Sequence, residues 1–410
     1  MKQVETVIIG GGQAGLATSY YLSRKGHEHI LLEQSGKAVS AWRKCWDSFT
    51  LVTPNSAFRM PGIKHKGVNR DGFMPRDAVI EFFEEYIKSF KLPVKYKTQA
   101  VSVTAAGRLG YHIQTNADTY HSKNVVVATG FFQQPKIPGF ATNISAGIHQ
   151  LHSSSYRNPA SIPDGAVLIV GSGQAGCQIA EELYLSGRKV FLSVGTAGRA
   201  PRRYRGKDII EWLELVGFFD LTPDQLPPGM GKFDGIPHVS GTKGGHTLNL
   251  HQFARDGVTL LGHLRDADNK KLLFAPDLHK SLEIVDQFEM NVTNVIDEYI
   301  KTNGLNAPDE KLPQLRDGYN QPIVESLDMI KEDIRTIIWA VGYAFDYSFV
   351  KLPVFDKDGF PVQSNGATNY PGLYFVGLPW MPSEKSGFLV GVAESARQIA
   401  HSIAEPIVHL

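Results

Sequence analysis

Short all-apolar runs closed by glycine punctuate this chain, and two of them open the same pattern. Val7-Ile8-Ile9 leads into Gly10-Gly11-Gly12-Gln13-Ala14-Gly15, and Leu168-Ile169-Val170 leads into Gly171-Ser172-Gly173-Gln174-Ala175-Gly176. A short continuous apolar run that ends at a turn reads as a strand buried on both faces. Helical spacing follows each turn, over residues 16–24 and 177–186, and stops at Gly26 or Gly187, which suits a left-handed C-cap. A second apolar strand comes next, over residues 29–32 in the first copy and 189–192 in the second. The repeat predicts two β-α-β units, hence an α/β fold with two doubly wound Rossmann-like dinucleotide-binding domains.

Further buried strands are expected at residues 125–127, closing in Ala128-Thr129-Gly130, at 337–341, closing in Gly342, and at 373–376, closing in Gly377. The last leads through Phe388 and Leu389 into a helical pattern that runs to residue 403. Leu282, Val285, Phe288, Val292, Val295, Ile296 and Tyr299 keep helical spacing and predict a long packed helix. Pro227-Pro228-Gly229 and the stretch from Gly241 to Gly245 mark loops.

The spacing of the repeated glycines carries chemistry. In G-x-G-x-x-G the first glycine (Gly10, Gly171) makes the tight bend, and the second (Gly12, Gly173) admits a pyrophosphate to the backbone. The third (Gly15, Gly176) lets helix and strand close up. Gln13, Ala14, Gln174 and Ala175 then sit in the first helical turn, whose free N–H groups face the phosphates. The copies differ where the second strand ends. Glu33 lies 18 residues after Gly15, where a carboxylate takes ribose hydroxyls. The matching position after Gly176 is Val194, preceded by Ser193, with Arg199, Arg202, Arg203 and Arg205 close behind. An acid repels a 2′-phosphate and arginine forks hold one. The first site therefore reads as FAD or NAD and the second as NADPH. Thr129, Gly130 and Gly377, at strand ends, are expected where a ligand passes the sheet edge.

Composition narrows the class. Forty-two Lys and Arg residues against 41 Asp and Glu leave a formal net charge of +1, which gives no basic surface for nucleic acid or anionic membrane. Two cysteines among 410 residues, Cys45 and Cys177, form neither a disulfide scaffold nor a C-x-x-C redox pair. A reducing, cytoplasmic setting is expected, with no membrane span and no secretory leader. The histidines at 238, 246, 251, 263 and 279 fit no zinc spacing, so no metal is expected.

These residues together resemble the class B flavin-dependent monooxygenases, the group of the flavin-containing and YUCCA-type enzymes. The resemblance runs through both fingerprints, Glu33, Trp42, Ala128-Thr129-Gly130, His152, Tyr156-Arg157 and Gly377. Of the family's linker signature F-x-G-x-x-x-H-x-x-x-(Y/F), His152 and Tyr156 match, while Ala146 and Ile148 replace Phe and Gly. A structural hinge is the expected role of His152 and Tyr156. The resemblance implies FAD and NADPH as cofactors, and O2 and a small molecule as substrates. It further implies transfer of one oxygen atom through a C4a-(hydro)peroxyflavin. It implies an FAD domain from residues 1–160 and 335–410, with an NADPH domain inserted at 161–334. Trp42, Leu51, Phe388 and Leu389 are expected along the flavin. Asn55 matches an active-site asparagine of the family, or caps the turn after Pro54. An NADPH oxidase or reductase of the same fold, and a non-catalytic nucleotide-binding sensor, carry the same fingerprints.

Overall fold

The computed structural model describes residues 1–63, 69–107, 110–225 and 237–405, so the expected Pro227-Pro228-Gly229 loop lies outside the described residues. The chain begins with β1 (Lys2–Ile9), α1 (Gln13–Arg24), β2 (His29–Leu32), α2 (Arg76–Phe90) and β3 (Val94–Lys95). β4 (Ala100–Ala105), β5 (Tyr111–Thr115) and β6 (Thr119–Val127) follow. A second set comprises β7 (His149–His152), β8 (Ala166–Val170), α3 (Gln174–Leu185), β9 (Val190–Ser193), α4 (Ile209–Leu215), α5 (Leu250–Arg255) and β10 (Thr259–Leu261). Then come β11 (Leu264–Asp268), β12 (Lys271–Phe274), α6 (Leu278–Thr302), β13 (Ser326–Asp328) and β14 (Ile334–Trp339). The chain returns with β15 (Leu373–Phe375) and α7 (Val392–Ala404).

The first sheet runs β3-β2-β1-β6-β5-β4, with β15 also on β6. Its β1, β2, β3, β6 and β15 pair in parallel, while β5 is antiparallel to both of its neighbours, β6 and β4. Period-2 alternation between two buried faces explains why the inner end of β1, Val7-Ile8-Ile9, is apolar at every position. Ile8 packs with α1, α2 and α7 residues, while Val7 and Ile9 face a second layer with Tyr111, Phe360 and Phe375. The second sheet, β10-β9-β8-β14-β7, is wholly parallel. β8 repeats the two-sided burial, with Ile169 and Leu168 in different clusters. β11, β12 and β13 form a small antiparallel sheet beside it.

Two strands fall differently from expectation. β7 and β14, placed by sequence within 1–160 and 335–410, hydrogen-bond into the second sheet, with Ile337 opposite both Leu168 and Gln150. Ile337, Ile338 and Trp339 are fully buried there. The chain thus crosses between the sheets over residues 128–148 and 340–372. A short antiparallel pair, Tyr343–Ala344 with Gln134–Pro135, ties the two crossings together.

The linker residues are tied to neighbouring segments. His152 is buried, bonded through Nε2 to the Gly342 carbonyl (3.1 Å), with its ring edge-on to Tyr343. Tyr156 donates to Glu182 of α3 (2.7 Å). A mixed cluster closes the contact between the sheets: Ala57 and Val390 pack with Ala200, Ile209, Trp212 and Ile296. Arg59 with Glu214 and Lys385 with Asp220 bridge its edge. Among the described residues no helix is long and apolar enough to cross a membrane.

The predicted long helix is α6, which buries Leu278, Leu282, Val285, Ile296 and Ile300. Because Leu282 is fully buried, Leu282→Ala is expected to destabilise the fold by about 2–5 kcal/mol, the cost of a core cavity. The urea midpoint of the purified variant reads this directly.

Candidate nucleotide-binding and active site

Each fingerprint turn is dictated by where a side chain cannot fit. Gly10 has φ of +116°, and a Cβ there would lie 2.5 Å from the Ala128 carbonyl oxygen; Gly171 has φ of +104° and the same relation to Ala340, at 2.6 Å. A Cβ on Gly15 would overlap the Gly10 carbonyl, and one on Gly176 the Gly171 carbonyl. The middle glycines differ: a Cβ on Gly12 or Gly173 would meet nothing within 4 Å. Each turn thus presents bare backbone to open space. No side chain caps the N-terminus of α1 or α3. Those amides are the donors that a pyrophosphate takes.

Glu33 is buried at the rim of the first turn. Its Oε2 accepts from the Gly11 N–H (2.9 Å) and its Oε1 from the Ser35 N–H (2.8 Å). Each oxygen keeps a further lone pair, enough for a ribose diol. Gly11, absent from the motif reading, is part of this arrangement, because a Cβ would sit 2.7 Å from Oε2. At the second turn no acid stands in this place. Val194 is fully buried, and the Ser172 hydroxyl accepts from the Gly195 N–H (2.9 Å).

Three residues expected at the second nucleotide are committed elsewhere. Ser193 donates to the Gly262 carbonyl (2.9 Å) and accepts from the Leu264 N–H, joining β9 to the end of β10. Arg199 is buried and paired with both oxygens of Glu289 and with Asp286. Arg202 is buried and paired with Asp208; it donates to the Val52 carbonyl (2.7 Å) and lies over the Phe73 ring. Burying a guanidinium requires a matched anion; that of Arg202 lies six residues on, while those of Arg199 come from α6, about 90 residues away. Arg203 remains exposed, donating to the Gly244 and Gly245 carbonyls.

The two fingerprint glutamines reach across to other segments. Gln174 brackets Val239, donating to its carbonyl and accepting from its N–H. Gln13 donates to the Gly387 carbonyl (2.9 Å), but its buried Oε1 has no partner among the described residues. Gly377 comes so close to Ala14 that a Cβ would overlap it, and Leu389 packs in the same cluster as Ala14. Phe388 meets Phe131 edge-on. Gln133 holds the Thr129–Gly130 corner, donating to the Thr129 hydroxyl (3.1 Å) and the Gly130 carbonyl (2.7 Å). Trp42 packs against Phe49, and Leu51 is buried with its carbonyl against Gly241.

Asn55 opens a single 3-10 turn after Pro54. Its Nδ2 donates to the Asn69 carbonyl (2.9 Å), which fixes the amide plane, while its buried Oδ1 lacks a partner among the described residues. Orphaned buried acceptors are uncommon, and one held in a fixed plane suits a bound group. The bare turns, Glu33 and these two unpaired amide oxygens fit a flavin nucleotide along the first sheet edge. Neither cysteine forms a disulfide. Burial pushes the Cys45 thiol up to about 11 and the Cys177 thiol higher still.

Glu384 escaped the motif reading. It sits in the buried corner between Gly377 and Leu389, its Oε2 without a partner among the described residues, and loss of hydration pushes its carboxyl up to about 8. Its signal in sequence is a charged pair, Glu384-Lys385, inside a segment otherwise buried. Three of the histidines meet carboxylates: His246 meets Glu181 (2.6 Å), His251 meets Asp286 (3.1 Å) and His263 meets Asp277 (2.8 Å).

Two stability measurements follow from these commitments. Arg202→Ala strands Asp208 and is expected to cost about 3–5 kcal/mol by urea unfolding, against less than about 0.5 kcal/mol for Arg203→Ala. For Glu384, the unfolded carboxyl ionises near 4.5 and the folded one near 8. Between those values only the folded state keeps the proton, so stability falls as pH rises through the window. Glu384→Gln removes that loss. Its melting temperature is expected to exceed that of the parent protein at pH 8 and to converge with it at pH 4.5, by thermal scans at both values.

The geometry has counterparts elsewhere. The model of the pyridine nucleotide-disulphide oxidoreductase family matches residues 7–213, which span both fingerprints. An uncharacterised CzcO-like oxidoreductase of Geobacillus kaustophilus is 29% identical over 402 residues, covering 98% of each chain. The indole-3-pyruvate monooxygenase YUCCA4 of Oryza sativa is 24% identical over 435 residues, covering 97% of this chain and 87% of that one. The flavin-containing monooxygenase of Stenotrophomonas maltophilia has the same fold, with a TM-score of 0.68 at 19% identity and 98% coverage of both chains. With its two three-glycine turns inside the matched region, the chain belongs to the pyridine nucleotide-disulphide oxidoreductase family.

Proposed function

We propose that the protein is an FAD-containing, NADPH-dependent monooxygenase that transfers one oxygen atom of O2 to a small organic substrate. The observation that carries this reading is the asymmetry of the repeated turn. A buried carboxylate, Glu33, stands beside the first copy, and its counterpart in the second is the buried apolar Val194. A carboxylate suits the ribose hydroxyls of FAD and repels a 2′-phosphate, so the two nucleotides sort themselves between the turns. The likeness to monooxygenases supports the reaction class. Two unpaired cysteines, both raised by burial, leave disulfide exchange without its couple. The first sheet with α1, α2 and α7 would form the FAD domain, and the second sheet the NADPH domain.

When bound, FAD and NADPH supply hydride transfer and oxygen activation. The chain supplies position. Gly12 and Gly173 would admit the pyrophosphates, Glu33 would hold the adenosine ribose of FAD, and Asn55 would offer its fixed amide oxygen to the flavin. The apolar cluster around Ala57, Trp212 and Val390 excludes water from the contact between the sheets.

The test is rapid mixing of the anaerobically NADPH-reduced holoprotein with oxygenated buffer. A blue-shifted absorbance that persists before oxidised flavin returns is the expected result. Direct return to oxidised flavin with stoichiometric H2O2 would support an oxidase or reductase instead. Asn55→Ala is expected to shorten that phase about tenfold or more while leaving the FAD content of the purified protein unchanged. Glu33→Ala is expected to weaken FAD retention by about tenfold or more, measured by flavin release on dilution.

A further inference from the structure

We propose that His263, oriented by Asp277, is the residue that recognises the 2′-phosphate of NADPH at the second nucleotide site; this rests on NADPH being the nucleotide bound there. Three of the four arginines after β9 are paired with carboxylates. Arg199 serves Glu289 and Asp286, Arg202 serves Asp208, and Arg205 serves Asp297 and Asp309. Of those forks only the buried Nη1 of Arg199 lacks a partner among the described residues, and Arg203, exposed and donating only to the Gly244 and Gly245 carbonyls, is the competitor for a 2′-phosphate.

Ligands of open parallel sheets lie beyond the carboxyl ends of the strands. β9 and β10 end side by side, with Ser193 opposite Leu261, and His263 stands two residues past that end. Its Nε2 lies 3.7 Å from the point where a side chain on Gly195 would begin, and the Ser172 hydroxyl lies 4.0 Å from the same point. Gly195 directly follows Val194, the counterpart of Glu33. The imidazole therefore stands beside the residue that follows the counterpart of Glu33, and its chemistry is the opposite of a carboxylate's.

Asp277 holds the ring in place. Its Oδ1 accepts from the His263 N–H (3.0 Å) and its Oδ2 meets Nδ1 (2.8 Å). Gly262 makes room for this, since a Cβ there would lie 2.6 Å from Oδ1. The His263 side chain is about half exposed, at 48%, so a ligand can reach Nε2. With Nδ1 on a carboxylate, a neutral ring offers Nε2 as an acceptor for a ribose hydroxyl. The doubly protonated ring offers Nε2–H to a phosphate, with Asp277 as counter-ion.

The experiment is calorimetric titration of the FAD-loaded protein with adenosine 2′,5′-bisphosphate and, separately, with 5′-AMP. The parent protein is expected to bind the bisphosphate about tenfold or more tightly than 5′-AMP. His263→Ala should bring the two affinities together by weakening the bisphosphate alone, and His263→Arg should restore the difference. Asp277→Asn should reduce it in part without changing 5′-AMP binding. A bisphosphate preference that survives His263→Ala, or that is lost in Arg203→Ala instead, overturns the assignment. Equal binding of both probes by the parent protein also overturns it, while leaving a nucleotide at this site. Binding of neither probe removes the nucleotide reading itself, and the assignment falls with it.

Discussion

A carbonyl oxygen standing in the space of a missing Cβ is the constraint on which this molecule depends. The Gly10 carbonyl fills the place of a side chain on Gly15, and the Gly171 carbonyl fills that of one on Gly176. Helix and strand can approach that closely only where the third glycine has no side chain. The approach in turn aims uncapped helix amides at the sheet edge. Each turn also leans on the carbonyl of a neighbouring strand's end, Ala128 in one case and Ala340 in the other. The site is therefore assembled from strands far apart in sequence, and its geometry is as rigid as the two cores beneath it.

Those cores meet through a third cluster and a few ion pairs. Arg202 connects the two sides most directly, since its guanidinium pairs with Asp208 on one side and donates to the Val52 carbonyl on the other. Asn55 lies three residues beyond Val52. The loop after β9 and the segment bearing Asn55 are thereby held in one frame, with Phe73 stacked beneath the guanidinium.

The features legible in sequence were local ones. The three-glycine turns, their flanking strands, Glu33 and the long helix α6 each show in residues a few positions apart. Membership of β7 and β14 was not legible, because an apolar run announces burial and says nothing of which neighbour it pairs with. The arginines after β9 misled for a related reason. Four cations within seven residues look like one anion site, but Arg199 finds Glu289 at a separation of 90 residues. Long-range carboxylates on α6 neutralise what composition left open. Glu384 and Asp277 were invisible on the same ground, since their significance lies in what surrounds them.

The ribbon formed by Gln134–Pro135 and Tyr343–Ala344 has a mechanical meaning. Both passages of the chain between the sheets run through it side by side, and His152 braces one of them at Gly342. Because the two crossings are hydrogen-bonded to each other, neither can shift along the other without breaking the pair, and the register between the two sheets is set at that point.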